Sequence, residues 1–238
     1  MTTDHKTDRL LMQMQAASGV LFALFLLAHL GNMMLAALGP AVFDAAQDNL
    51  RAVYQVPPIE VALVGAPLLL HIVTSVWRVV RRRRLAQPQP RAVRTRLQRY
   101  SAIVLMVFIV GHVVATRGAS LLYEVWPGFD AIAFTMLWVP AYFIPYYALF
   151  SVAALYHLIN GLSVALPRLG VRRVGPLRDG RVVVGLAAAG GLLLLLGVAG
   201  FAGAFSNDVR GRAIDSSYAR LLEELGLADR AAIAGSRE

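Results

Sequence analysis

The chain of 238 residues contains no cysteine. Disulfide bonds, iron–sulfur clusters held by thiolates of this chain and a covalent C-x-x-C-H haem attachment are therefore excluded. Carboxylates are also scarce, with 14 Asp and Glu against 23 Lys and Arg, and the long apolar stretches contain almost none of them. The opening residues lack the small-residue cleavage site of a secretory signal peptide, so we expect no cleaved leader.

Apolar residues make up 58% of the chain and its mean hydropathy is +0.60, both far above the values typical of soluble proteins. This composition predicts an integral membrane protein. The net charge of +9 would also suit a nucleic-acid-binding protein. However, the basic residues cluster at the ends of the apolar stretches, where they face lipid headgroups and set the topology. We therefore expect a lipid environment and no nucleic-acid partner.

Five apolar stretches are long enough to cross a bilayer core of about 30 Å as helices. They cover residues 15–38, 59–80, 100–116, 141–166 and 182–205. The loops after the second and fourth stretches are rich in arginine, so the positive-inside rule places the N-terminus inside and the C-terminus outside. The predicted fold is an all-α integral membrane protein. Its parts are a cytoplasmic N-terminal segment (residues 1–14), a transmembrane domain of five helices (residues 15–205) and an extracytoplasmic tail (residues 206–238).

Prolines and composition predict the connections between these stretches. Residues 39–58 are expected to form a loop, and Pro88 and Pro90 to prevent a continuous helix between the second and third stretches. Pro140 and Pro145 are expected to separate an interfacial segment, which begins near residue 131, from the fourth span. In the tail, residues 217–227 form a predicted short amphipathic helix.

The apolar part of the chain repeats itself. Residues 15–30 (QAASGVLFALFLLAHL) align with residues 98–113 (QRYSAIVLMVFIVGHV), which brings His29 onto His112. The residues around His71 (LLHIVTSV) align with those around His157 (LYHLINGL) at nearly the same offset. The pattern predicts two repeated helical hairpins, each with two histidines, that together form a four-helix bundle.

The depths of the four histidines predict two pairs. His29 and His112 lie past the middle of outward-running helices, and His71 and His157 past the middle of inward-running ones. At a rise of about 1.5 Å per residue the two tiers are about 10 Å apart. Two histidines from facing helices at one depth suit bis-imidazole ligation of a haem iron. Zinc would require a third or fourth ligand, and a proton relay would require carboxylates near the histidines. Two b-type haems are therefore the predicted cofactors.

Arg78, Arg81 and Arg99 lie at the inner ends of the second and third stretches. They are candidates for ion pairs with haem propionates. Facing lipid headgroups and setting topology is the other role that fits arginines at these positions.

Two runs give the chain a resemblance to a known family. The run SGVLFALFLLAHLGN with its repeat, and ALYHLINGL in the fourth helix, resemble the dihaem cytochrome b membrane subunit of the succinate:quinone oxidoreductases. That family includes the succinate dehydrogenases and the quinol:fumarate reductases. The resemblance covers nearly all of residues 10–205, and its specific parts are S-G-x(9)-H and Y-H-x-x-N-G. It implies that His29 and His112 ligate the distal haem, and His71 and His157 the proximal haem.

The resemblance also implies partners and a location. The partners are a flavoprotein subunit and an iron–sulfur subunit on the cytoplasmic side of a bacterial inner membrane, in a complex that can form a dimer. Succinate would be oxidised on the flavoprotein. This chain would pass electrons between the iron–sulfur subunit and a menaquinone or ubiquinone.

Two positions bear on quinone and proton chemistry. Some fumarate reductases of this family carry a glutamate two residues before the fourth histidine, whereas this chain has Leu155. The departure speaks against that transmembrane proton route and favours succinate oxidation. Glu60, at the outer end of the second helix, is a candidate to exchange a quinone proton; it also fits a charge that reaches the interface from a helix end.

Other classes of membrane protein are alternatives. The nearest is the cytochrome b anchor of another quinone-linked dehydrogenase, such as a hydrogenase or formate dehydrogenase. A haem-free transporter or a structural anchor belongs to a different class. Inverted transporter repeats need an odd number of helices in each repeat, whereas each repeat here has two. A structural anchor would have no need of all four histidines.

Overall fold

The computed structural model describes residues 2–85, 92–171 and 175–235. It is 87% helical and contains no strand in these ranges, which confirms the all-α class. The α-helices of the described ranges are α1 (Thr2–Leu35), α2 (Pro40–Tyr54), α3 (Pro57–Glu60), α4 (Ala66–Leu85), α5 (Val93–Val113), α6 (Ala119–Tyr123), α7 (Phe129–Trp138), α8 (Pro140–Arg168), α9 (Gly180–Phe201), α10 (Val209–Ile214), α11 (Ser217–Glu224) and α12 (Arg230–Gly235).

Five segments of the described chain are helical, apolar and long enough to cross a membrane. They are Lys6–Leu38, Pro57–Arg81, Val93–Tyr123, Pro140–Arg168 and Gly180–Phe201. The predicted number of spans is therefore confirmed, and the chain has the character of a multi-pass membrane protein. The side of the membrane on which each terminus lies stays a prediction.

Two of the spans contain a π-helical turn. Val61–Gly65 joins α3 to α4, and Val114–Gly118 joins α5 to α6. Such turns widen a helix locally and are frequent at functional sites. The first follows Glu60 directly and the second begins two residues after His112.

The predicted loop over residues 39–58 was wrong. The expected loop over residues 39–58 contains α2, which Pro40 can open because the first helical position needs no N–H donor. Phe43 and Gln47, one turn apart, are buried on one face of α2, so packing of that face stabilises the helix. Residues 2–14 are also helical and form the first turns of α1; the cytoplasmic location of the N-terminal segment stays a prediction.

The break before the fourth span lies where Pro140 predicts it. Val139, directly before this proline, has non-helical backbone angles, as the residue before a proline usually does. The predicted interfacial segment is α7. Pro145 does not interrupt the chain further, because it lies within α8. The break expected at Pro88 and Pro90 lies outside the described residues.

The chain forms two compact units, each made of three separate segments. The first unit comprises Met1–His29, Leu50–Ser101 and Leu155–Ala188, and the second comprises Leu30–Asn49, Ala102–Ala154 and Ala189–Glu238.

An aromatic cluster forms the core of the second unit. Phe43 of α2, Phe129 of α7 and Phe201 of α9 are almost completely buried, with ring centroids 4.8–6.0 Å apart. The predicted tail joins this core through buried apolar side chains of α10 and α11. The helix predicted over residues 217–227 is confirmed as α11, and its Ser216 hydroxyl accepts a hydrogen bond from the Ala219 amide as an N-cap.

Two glycines let α9 approach the end of α1 within the second unit. A Cβ at Gly197 would collide with the Met33 carbonyl, and one at Gly200 with the Ala36 carbonyl. Small residues at such contacts allow helix backbones to pack closely in membranes. The fifth span is therefore fixed against the first by backbone contact.

Asp44 of α2 holds the first turn of α7 in the second unit. Its Oδ1 atom accepts a hydrogen bond of 2.8 Å from the Phe129 amide, and Gly128 leaves room for the carboxylate. Nearby, the Arg212 guanidinium binds the Asp130 carboxylate, with two N–O distances of 3.2 Å. Burial raises the pKa of Asp44 above its ordinary value, against the opposing effect of the Phe129 hydrogen bond.

We expect Asp44→Asn to remove a pH dependence of stability. Because the pKa of Asp44 is higher in the folded chain than in the unfolded one, folding favours its protonated form. Its contribution to the free energy of unfolding therefore falls as the pH rises from the ordinary value of 3.8 through the raised one. The amide oxygen that replaces the carboxylate can still accept from the Phe129 amide. Between about pH 4 and 7 the melting temperature in detergent should fall less steeply with rising pH for the variant than for the native chain. An equal or steeper fall for the variant would contradict this.

Candidate functional site

The structure divides the four predicted histidines between the two units. His29, His71 and His157 belong to the first unit and His112 to the second. All four side chains are half-buried. Of the two predicted pairs, His71 and His157 therefore lie within one unit, whereas His29 and His112 do not.

The structure brings His71 and His157 together. Their ring centroids are 6.2 Å apart and their ring planes are almost perpendicular, at 89°. One ring comes from α4 and the other from α8, which are the second helices of the two predicted hairpins. The two histidines therefore lie side by side within the first unit.

The ring of His71 is fixed by the backbone of α1. Its Nδ1 atom lies 3.0 Å from the carbonyl oxygen of Gln15. Because a carbonyl oxygen only accepts, Nδ1 must carry the proton, and in the neutral ring Nε2 then has the free lone pair. Gly19, one turn after Gln15, makes room for this ring: a Cβ there would lie 2.8 Å from both Cε1 and Nδ1 of His71.

The side chain of Gln15 ties the same two helices together. Its Nε2 atom donates to the Ser75 hydroxyl at 2.8 Å, and its Oε1 atom accepts from the Arg78 guanidinium. Arg78 is buried, and its Nε atom lies 3.7 Å from the Asp8 carboxylate. This predicted propionate candidate therefore also stabilises the contact that orients His71.

The ring of His157 is fixed by α5. Its Nδ1 atom lies 3.1 Å from Nε2 of Gln98 and 3.2 Å from the Ser101 hydroxyl oxygen. The Gln98 amide also donates to the backbone carbonyl of His157, at 3.1 Å. Both histidines of the pair are thus held at Nδ1, His71 by α1 and His157 by α5.

A chain of hydrogen bonds fixes the orientation of the Gln98 amide. Arg94 can only donate, and its Nε atom lies 2.9 Å from Oδ1 of Asn160. The Asn160 Nδ2 atom then donates to Oε1 of Gln98 at 2.7 Å. Gln98 must therefore present its NH₂ group to His157.

Sequence reasoning missed these supporting residues, although one signal was available. Gln15 and Gln98 occupy equivalent positions in the aligned repeats, and each contacts the histidine of the following helix. A polar side chain repeated inside two apolar helices needs a partner. The repeated glutamine could therefore have been assigned to the repeated histidine. Asn160 and Arg94 have no such equivalent in the first repeat.

His29 and His112 are placed among aromatic rings. The His29 ring stacks on Phe25, with centroids 5.5 Å apart and an angle of 14°. The Nδ1 atom of His112 lies 3.3 Å from the Tyr146 hydroxyl, and its ring is 5.3 Å from Phe150. The pairing of His29 with His112 stays a prediction, because the two residues belong to different units.

The remaining predicted residues differ in exposure. Arg81 is half-buried near the end of α4, whereas Arg99 of α5 is exposed. Glu60 is half-buried at the last position of α3. Of the three arginines, Arg78 has the least exposed side chain.

The described residues contain no group of three or more His, Asp or Glu side chains that could hold a metal ion. The His71–His157 pair offers two imidazoles and can serve a metal whose other ligands come from a bound group.

No protein-family model, curated protein or solved structure matches this chain.

Proposed function

We propose that the chain is the cytochrome b membrane subunit of a succinate:quinone oxidoreductase in a bacterial inner membrane. It would bind two b-type haems and pass electrons between an iron–sulfur partner subunit and a membrane quinone. The dicarboxylate site would lie on a flavoprotein partner. The observation that carries the proposal is the His71–His157 pair, whose members come from two stretches that the sequence repeat aligns.

The separation of the two rings fits bis-imidazole ligation. A metal–imidazole bond is about 2 Å long, and the ring centre lies about 1 Å beyond the ligating nitrogen. Two imidazoles on opposite sides of one ion therefore have centroids about 6 Å apart. The observed separation is 6.2 Å, and planes at 89° can both contain one nitrogen–metal–nitrogen axis.

The hydrogen bonds of the two rings fit the same role. Histidines that ligate metals usually donate their other ring N–H to a carboxylate, a backbone carbonyl or water, which fixes the tautomer. Nδ1 of His71 makes such a bond to the Gln15 carbonyl, and Nδ1 of His157 lies beside the Ser101 hydroxyl. Nε2 is then the nitrogen that His71 offers to a metal, and the one that His157 offers when the Ser101 oxygen accepts its Nδ1 proton.

A bound b-type haem supplies a one-electron carrier. The chain would hold it through His71 and His157 at the proximal position, with His29 and His112 proposed as ligands of the distal haem. Arg78 follows His71 by two helical turns, so the two residues lie on one face of α4. It is the propionate candidate that we favour over Arg81 and Arg99.

The residue proposed for quinone chemistry is Glu60. It is half-buried and directly precedes a π-helical turn, a feature that is frequent at functional sites. We propose that its carboxylate exchanges a proton with the menaquinone or ubiquinone substrate.

A reduced-minus-oxidised visible spectrum with pyridine-haemochrome quantitation of the purified complex tests the proposal. We expect about two b-type haems per chain, with flavin in the same preparation. The flavin distinguishes a succinate or fumarate partner from other dehydrogenases.

Other results would point to the alternatives. Haem with a molybdenum- or nickel-containing partner instead of the flavoprotein would favour the anchor of a formate dehydrogenase or hydrogenase. A complex without haem would overturn the cytochrome proposal and leave a structural anchor.

A further inference from the structure

We infer that Ser101 is the positioning residue of His157: its hydroxyl oxygen accepts the Nδ1 proton, so that Nε2 is left to ligate a metal. The inference rests on the proposed function, because it names the group that makes one of the proposed ligands competent. Ser101 contacts the His157 ring, so it would act through that ring.

The geometry allows the Ser101 oxygen to act as an acceptor. The hydroxyl donates its own proton to the backbone carbonyl of Gln98, one turn earlier, at 3.1 Å. Its lone pairs are then available to Nδ1 of His157, 3.2 Å away. Ser101 is only 7% exposed, so its hydroxyl is shielded from bulk water.

A second group at the same nitrogen has the opposite effect. The relay from Arg94 through Asn160 forces Gln98 to present its NH₂ group, which lies 3.1 Å from Nδ1 of His157. A donor at this place favours the tautomer with the proton on Nε2, the nitrogen needed for ligation. Ser101 and Gln98 therefore favour different tautomers of His157. The tautomer that can bind a metal, with the proton on Nδ1 and Nε2 free, is the one that Ser101 favours.

The first repeat lacks this competition. His71 donates from Nδ1 to the carbonyl of Gln15, which admits one tautomer alone. Ser18, the residue aligned with Ser101, is also buried, but its hydroxyl donates to the Met14 carbonyl at 2.7 Å and to the Gln15 carbonyl at 3.3 Å. The acceptor of His71 is that Gln15 carbonyl rather than the Ser18 hydroxyl. The two ligands of the proximal haem are thus held differently, and Ser18 provides a matched control.

The test compares Ser101→Ala with Ser18→Ala in the purified complex. We expect Ser101→Ala to weaken retention of the proximal haem about 10–100-fold, the usual effect of losing a group that orients a ligating histidine. The midpoint potential of that haem should rise, because an imidazole without an Nδ1 acceptor is a weaker electron donor to iron. Ser101→Thr keeps the hydroxyl and should restore both properties, while Ser18→Ala should leave both unchanged.

The outcomes separate this inference from the proposed function. If the native complex has two haems and Ser101→Ala leaves the potential and retention of the proximal haem unaltered, the inference fails and the cytochrome proposal stands. An equal effect of Ser18→Ala would also overturn it, since any loss of a buried serine hydroxyl would then suffice. A native complex without haem would overturn both.

Discussion

His71→Ala is expected to lower the haem content from about two b haems per chain to about one. The variant leaves His157 as the single imidazole of a pair whose rings are 6.2 Å apart in the native chain. Losing a direct ligand should weaken haem retention by more than the roughly 10–100-fold that follows from losing a group that merely orients a ligand. Pyridine-haemochrome quantitation of the purified complex measures the result.

Two further variants decide whether His71 and His157 serve one haem. His157→Ala should remove the same haem as His71→Ala, and the double variant should lose no more than either single one, because residues that act as one site are not additive. His29→Ala should remove the other haem, identified by its different potential. Loss of both haems in His71→Ala alone would contradict two separate sites.

The five spans could be predicted because their signal is local. Each stretch is apolar over the length of a bilayer core, whatever its neighbours are. Helix α2 was missed because its stability comes from packing: Phe43 is buried against Phe129 and Phe201, which are distant in sequence. Short helices are stabilised mainly by such tertiary contacts, and these leave little trace in composition.

The histidines of the site could be predicted, but most of their supports could not. The repeat alone places His71 and His157 at equivalent positions. The relay from Arg94 to Gln98 through Asn160 joins positions about sixty residues apart, and it depends on side-chain orientation. Sequence spacing within one helix says nothing about that orientation. The space that Gly19 leaves for the His71 ring likewise depends on the placement of residues distant in sequence, so spacing within one helix does not reveal it.

Gly19→Ala is expected to remove the proximal haem while leaving the distal one in place. The added Cβ would lie 2.8 Å from Cε1 and Nδ1 of His71, closer than carbon atoms approach such groups without a shift. The ring must move, and the hydrogen bond of 3.0 Å to the Gln15 carbonyl is then lost or distorted. Haem retention should fall about 10–100-fold, as measured by haem content after dilution and repurification.

A weaker helix cannot explain this loss, since alanine is more favourable than glycine in a helix interior by about 1 kcal/mol. Gly185→Ala in α9 is the matched control, because a Cβ there meets no atom within 4 Å and haem content should be unchanged. If the methyl group acts through the His71 ring, adding Gly19→Ala to His71→Ala should cause no further loss. Full haem content in Gly19→Ala would show that the ring can ligate from another position, and that this close contact does not determine the site.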